Sequence, residues 1–172
     1  MSKFNSLPVD PYKLNESIFK LIGKDWALIT AGNPDGGVNT MTASWGCAGI
    51  LWNKPVCICF IRPQRHTLGF VEANDRLSLS FFDEEYRAAL TYCGRNSGRD
   101  VDKFKECDLT PAFSDKGAAY IEEARLVLLC RKLYVGDLRE SEFLDVEMLN
   151  HYKEKDYHRF FICEIEEILK KD

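Results

Sequence analysis

Apolar residues along this chain fall mostly into short runs of strand period, with helical spacing confined to the stretches between them. Residues 1–13, which include Pro8 and Pro11, carry neither period and are expected as an irregular arm. Leu14, Ile18, Phe19 and Ile22 share one helical face, which predicts a short amphipathic helix over 14–22 ended by Gly23. Trp26–Thr30 reads as a strand. Asn33-Pro34-Asp35-Gly36-Gly37 reads as a turn whose glycines accept positive φ, and Val38–Trp45 as the returning strand of a hairpin. Val56–Ile61 is a further strand, rich in β-branched residues and cysteine, joined to the preceding run at Asn53-Lys54-Pro55.

A helix is predicted over Leu68–Ala73, closed by Asn74-Asp75. Leu77, Leu79 and Phe81 then alternate with Ser78, Ser80 and Phe82, the pattern of a half-buried strand. Glu84–Cys93 has helical spacing and Gly94 ends it, while Ser97-Gly98-Arg99-Asp100 opens another short helix running to Glu106. Two long strand patterns follow, Ala124–Leu133 and Phe160–Ile168, separated by a helical stretch over Ser141–Asn150. Strict β-α-β alternation is missing, which argues against a doubly wound parallel sheet. The pattern predicts a mainly β fold with peripheral helices, of barrel type.

With 172 residues, a single domain over 1–172 is the simplest organisation, long enough to bury roughly 70% of its unfolded surface without disulfides or metal. The formal charge of −4 argues against a general nucleic-acid or membrane-surface binder, so any anion site must be local. Seven cysteines, an odd number, lie inside apolar segments, which fits a reducing cytoplasm. The first twenty residues lack the basic and apolar regions of a leader, and no run approaches a membrane span.

Three segments carry candidate chemistry. In an extended strand Thr40, Thr42, Ser44 and Gly46 share one face, and Asn39, Met41, Ala43 and Trp45 the other. A row of hydroxyls beside a glycine lets a flat polar ring lie close to the backbone; the same pattern also fits a half-exposed strand with solvated threonines. Arg62, Arg65, His66 and Thr67 crowd the start of a helix, where arginine can grip phosphate oxygens in bidentate fashion, or where Thr67 can simply cap a solvated turn. Ser97-Gly98 with Arg99 and Lys103 one turn apart can bracket an anion, or form a capped surface helix.

Other chemistries find no support. Cys57 and Cys59 share a strand face as small core residues, and no C-x-x-C pair occurs; Cys47 is the cysteine nearest the candidate site. His151 and His158 lack metal-ligand spacing, neither G-x-G-x-x-G nor a P-loop is present, and no acid–base carboxylate pair can be assigned.

Taken in order, N-T-M-T-A-S-W-G (39–46), P-V-C-I-C-F-I (55–61), R-P-Q-R-H-T (62–67), S-G-R-D-V-D-K-F (97–104) and H-R-F-F-I-C-E-I (158–165) resemble the flavin reductase-like, FMN-binding split-barrel family, which includes flavoredoxin-type proteins. The resemblance spans about Trp26 to Ile168. It implies a Greek-key split β-barrel, a homodimer, and FMN near the subunit interface. By match, Met41, Thr42, Ala43, Ser44 and Trp45 would lie along the isoalloxazine. Arg62, Arg65, His66 and Thr67 would hold the phosphate end. Ser97, Gly98 and Lys103 would close over the cofactor, and His158 would approach the ring or the interface. Cys163 stands where a small residue, often glycine, is expected, and Trp45 and Trp52 are bulky.

The implied activity is that of an FMN-dependent oxidoreductase. It would pass reducing equivalents from NAD(P)H, stacked transiently on the ring, or from a protein donor to flavin, iron or another small acceptor. The flavin would do the chemistry, which suits a chain with no assignable acid–base pair. The bulky tryptophans motivate the alternative of a flavin-binding electron carrier or sensor with little turnover. A deazaflavin or pyridoxal-type ligand, and a purely structural barrel, are the remaining alternatives.

Overall fold

The computed structural model describes residues 4–7 and 10–171. Among these residues are ten strands: β1 (Phe4–Leu7), β2 (Ala27–Asn33), β3 (Gly37–Ala43), β4 (Gly46–Leu51), β5 (Lys54–Ile61), β6 (Arg76–Phe81), β7 (Pro111–Phe113), β8 (Ala119–Ile121), β9 (Leu126–Asp137) and β10 (Arg159–Lys171). Four short α-helices connect them: α1 (Ile18–Lys20), α2 (Thr67–Ala73), α3 (Arg87–Arg95) and α4 (Lys103–Glu106). Strands β7 and β8 form a separate hairpin, and the others form one antiparallel sheet in the order β3-β2-β6-β9-β10-β5-β4, with β1 added to β10.

That order dictates the shape. Its two ends, β3 and β4, are consecutive in sequence, and only Ser44 and Trp45 separate them. A flat sheet would hold its edge strands several strand spacings apart, each about 4.8 Å, which two residues cannot bridge. The sheet must therefore curl until its ends meet. Leu77, Leu79 and Phe81 of β6, Leu126, Leu128 and Cys130 of β9, Phe161, Cys163 and Ile165 of β10, Cys57, Cys59 and Ile61 of β5, and Met41 of β3 all pack into the enclosed core. Four thiols meet there, with Cys57 and Cys130 Sγ atoms 3.5 Å apart.

Local chemistry sets the hairpins. Asn33 accepts from the amides of Asp35 (3.1 Å) and Gly36 (2.6 Å), and Gly37 takes φ 78°, closing β2 onto β3. Trp52 and Asn53 both have positive φ (51° and 55°), the conformation of a two-residue turn matching strand twist, so the β4–β5 turn falls there rather than at Asn53-Lys54-Pro55.

Several expectations need correction. Phe4–Leu7 is a strand on β10, so the arm is not irregular throughout. The helix expected over 14–22 begins only at Ile18, where the Ser17 hydroxyl accepts from the Lys20 amide at 3.4 Å. It then continues as a π-turn, Leu21–Asp25, straight through Gly23, because the chain reverses at Trp26 (φ 67°) instead. Arg87 stacks on the Trp26 ring at 4.5 Å and bonds the Lys24 carbonyl, holding this exit. The strand expected to Trp45 stops at Ala43, since residues 46–51 pair with β5 at the opposite edge. Helix α3 passes through Gly94 to Arg95, and α4 starts only at Lys103, where the Asp102 carboxylate accepts from the amides of Phe104 and Lys105. The stretch 141–150 holds 3-10 turns rather than an α-helix.

Strand β6 is buried on both faces rather than half-buried. Ser78 and Ser80 face a second apolar layer built from Leu28, Leu90, Cys93, Ile121, Val127 and Leu129. This layer wedges α3 and β8 against the outside of the barrel, and so fixes the end of α3 over β3.

Phe81 is fully buried at the point where β6 meets the barrel core. Phe81→Ala is expected to destabilise the fold by about 3–5 kcal/mol; urea unfolding of the two proteins checks this, and a loss below about 1 kcal/mol would contradict the closed core described above.

Candidate functional site

Where β3 hands over to β4, the seam of the barrel opens into two adjoining clefts. The first, of 190 Å³, is a slot lined by Met41, Thr42, Ala43, Ser44, Trp45, Phe60, Arg62, Arg65 and His158. The second, of 430 Å³, is bounded by the Arg62–Thr67 turn, the Arg95–Gly98 segment and Lys103. Met41, Arg62 and Arg65 line both, so the two are continuous. All thirteen residues that the resemblance places at the site line one or the other, whereas Arg99 lines neither.

The polar atoms of these residues do different jobs. Thr42 Oγ1 donates to the Leu90 carbonyl and ties β3 to α3. Thr67 is buried and its hydroxyl accepts from Asn39 Nδ2 at 3.0 Å, so it braces the turn rather than reaching outward as a cap. Lys103 is buried too, at the start of α4. Its Nζ donates to the carbonyls of Thr40 (2.8 Å) and Cys93 (2.9 Å), which leaves one of its three hydrogens uncommitted. Burial pulls its pKa down. Gly98 sits so close to Asn39 that a Cβ there would overlap the Asn39 carboxamide. Arg65 donates to the Gly94 carbonyl at 2.6 Å.

Charge is unevenly shared. Neither cleft is lined by Asp or Glu, whereas Arg62, Arg65, Arg95 and Lys103 all contribute cations. Arg62 is the one met by a carboxylate: it pairs with Asp156 and donates to the His151 carbonyl at 2.9 Å. Burial would raise the Asp156 pKa, but hydrogen bonds from Gln64 and Arg62 outweigh it and keep the group ionised. Desolvation, then Arg99 and Lys103, lowers the His66 pKa, the response expected of imidazole in a positive field. In a chain of net charge −4, this cleft is a local concentration of positive charge.

The slot has a different character. Met41 and Phe60 offer apolar walls, and Trp45 stands at the rim, 47% exposed, its ring 5.3 Å from His151 and 5.5 Å from His158. A flat ring fits the slot and a negatively charged tail fits the cationic cleft beside it. Among the described residues no group of three or more His, Cys, Asp or Glu is placed to hold a metal ion. Another depression, of 340 Å³, lies by Arg125, but its charges cancel one another: Arg125 pairs with Glu16 and Asp25, and Lys20 with Asp25.

Sequence reading missed Phe60, Gln64, Arg95 and Asn96 in the lining, and Asn39, Tyr152 and Asp156 behind it. Arg95-Asn96 directly precedes Ser97-Gly98, a signal that could have been used. Tyr152 and Asp156 lie in a stretch without periodicity and had none.

The family model described as Flavin reductase like domain matches residues 19–172. The chain belongs to this family. No curated protein matches it. Among solved structures it is similar to flavoredoxin from Methanosarcina acetivorans (23% identity, TM-score 0.66, covering 86% of this chain and 69% of that one). It is also similar to an FMN-binding protein from Thermus thermophilus with bound p-hydroxybenzaldehyde (20%, 0.67, 95% and 82%). A third is an FMN-binding domain of flavin reductases-like enzyme from Shewanella baltica OS155 (15%, 0.68, 99% and 80%). At these identities the likeness is one of fold: the flavin reductase-like split barrel with its peripheral helices.

Burial, then Arg62, lowers the His158 pKa to about 4, below its unfolded value of about 6.5. The depressed value stabilises the fold above pH 6.5, and that contribution is lost as pH falls from 6.5 toward 4. Between pH 7 and pH 5 the loss is expected to be about 2 kcal/mol. His158→Gln, which cannot titrate, should lose correspondingly less over the same interval in urea unfolding; equal losses would refute the assignment.

Proposed function

We propose that the chain binds FMN across the two clefts and acts as an FMN-dependent oxidoreductase of flavin reductase type. The observation that carries this is the continuity, through Met41, Arg62 and Arg65, of a ring-sized slot with a cationic cleft that no carboxylate lines. The cationic cleft, at 430 Å³, falls within the several hundred Å³ usual for cofactor sites, and the slot adds 190 Å³ to it. Family membership and the FMN-binding protein among its fold relatives support the choice of FMN over other phosphorylated rings.

On this reading Arg65 and Arg95 meet the phosphate, with the uncommitted Lys103 hydrogen and His66 beside them. Asn39 and Lys103 hold the surrounding backbone in place. Met41, Ala43 and Trp45 flank the ring, and Thr42 anchors its strand to α3. Bound FMN would supply hydride and electron transfer, with NAD(P)H or a protein as the donor and a small molecule as the acceptor. The protein's part is to position, to desolvate and to set the local field. No residue serves as a nucleophile.

A second reading, an electron carrier with little turnover, is favoured by the rim. Trp45 leans against His151 and His158 and narrows the approach to the slot. The flavoredoxin among the fold relatives fits it as well.

The homodimer belongs to the same proposal. Ile58 and Phe60 of β5 and Phe160 of β10 stand partly exposed on the outer face of the sheet, with Leu51, Trp52 and Tyr134 exposed nearby. Phe60 also lines the slot, so a second copy covering this face would reach the site. A cytoplasmic location fits the seven free cysteines. No helix of the described residues is long and apolar enough to cross a membrane.

Two measurements test these readings. FMN added to protein stripped of ligand should bind with a shifted visible spectrum, and Arg65→Ala should weaken it by about tenfold or more, the worth of a charge-assisted hydrogen bond. Unchanged affinity would remove the phosphate assignment. Bleaching of the bound flavin by anaerobic NADH or NADPH favours the reductase; resistance to both favours the carrier. Sedimentation should give twice the monomer mass, and Phe160→Asp should reduce it; a monomer at micromolar concentration would remove the dimer.

A further inference from the structure

Behind the slot lies a buried polar pair to which the reading above gives no task. Tyr152 and His158 are 7% and 6% exposed, and Tyr152 Oη lies 2.8 Å from His158 Nδ1. Tyr152 itself is well held. Its ring packs on Phe143 (5.7 Å) and Tyr157 (5.1 Å), and the Arg62 guanidinium lies 5.2 Å from its centroid. The carbonyl of His158 accepts from the Leu138 amide at 2.9 Å, which fixes its backbone. His158 lines the slot and Tyr152 does not.

The direction of their hydrogen bond can be settled by counting. Burial, then Arg62, leaves His158 neutral at pH 7, so the imidazole carries one proton. Among the described residues Tyr152 Oη has no other partner. Were the imidazole proton on Nδ1, the phenol hydrogen would be buried without an acceptor, an arrangement that folded proteins avoid. The phenol therefore donates, Nδ1 accepts, and the imidazole proton resides on Nε2. That atom bonds to none of the described residues, yet is not among the buried atoms lacking a partner, so it is open to the slot. The charged groups that act on the ring are Arg62, Asp156 and Arg65.

We infer that Tyr152 is a positioning residue which locks His158 as its Nε2–H tautomer, so that His158 presents a hydrogen-bond donor to a carbonyl oxygen or ring nitrogen of the planar ligand in the slot. The tautomer is a property of this chain alone; the identity of the ligand as FMN rests on the reading of the preceding subsection. A donor placed there holds the ring more tightly once the ring has gained an electron pair and negative charge, and so favours the reduced form.

The test reads the imidazole directly. Proton–nitrogen correlation spectra of ¹⁵N-labelled protein at pH 7, with the His158 signals assigned by their loss in His158→Gln, should show a neutral Nε2–H ring before any ligand is added. Tyr152→Phe should give a mixture of tautomers or the Nδ1–H form. A wild-type ring protonated on Nδ1, or a Tyr152→Phe protein with the tautomer unchanged, overturns the inference; if Tyr152→Phe does not fold, the wild-type spectrum decides alone. Because this readout precedes any ligand, it can fail while FMN still binds, and it can hold while FMN does not. In FMN-loaded protein, His158→Leu should lower the affinity for reduced FMN relative to oxidised FMN by about tenfold, while His158→Gln, which keeps an N–H, should retain most of it. Equal ratios in the two variants overturn the donor role.

Discussion

Closure of the sheet over the two residues Ser44 and Trp45 is the constraint on which the rest of the molecule depends. Strands β3 and β4 are the two ends of the sheet order and neighbours in sequence. Their short link draws the ends together and makes a core that one curled sheet can enclose. It also leaves a seam, because β3 and β4 are brought together without pairing with each other. The slot occupies that seam, so the fold and the site have a common geometric origin.

The seam would collapse or gape without the contacts behind it. Lys103, buried with its ammonium on two carbonyls, ties α4 to β3 and to α3. Asn39 supports Thr67 from one side and leaves room only for a glycine at 98 on the other. Arg62, Asp156 and Gln64 fasten the stretch before β10 to the end of β5. A buried cation is costly unless it is well bonded, and here the cost is met by carbonyls rather than carboxylates. The cleft thus keeps its positive charge, whereas a structural ion pair would have cancelled it.

Much of this was legible in the chain. Period-2 runs and turn residues located most of the large sheet's strands, and the ordered motifs carried the family resemblance that located the lining residues. What escaped was set by non-local packing. Serines at 78 and 80 look like a solvent face, but α3 and β8 cover them. The strand through Ala43 reads as continuous to Trp45, since nothing local in Ser44-Trp45 says that the next residues pair with the opposite edge. Thr67 and Lys103 were chosen for their chemistry and both line the cleft, but the orientation of their polar atoms depends on Asn39, Thr40 and Cys93, which come together only in the folded chain. Tyr152 and Asp156 lie where no periodic signal exists.

The position of β10 in the sheet bears on how the molecule is made. It lies between β9 and β5 and also carries β1, so it joins the first described strand, the middle of the chain and the adjacent hairpin arm. Yet among the described strands it is the last in sequence, and so the last of these to be synthesised. Until it has emerged, β5 with β4 has no attachment to the β9 side, and the core thiols and Phe161 have no completed wall. Pairings of such long sequence separation make for slow, late closure, and they leave the apolar inner faces of β5 and β9 uncovered in a nascent chain for as long as β10 remains inside the ribosome.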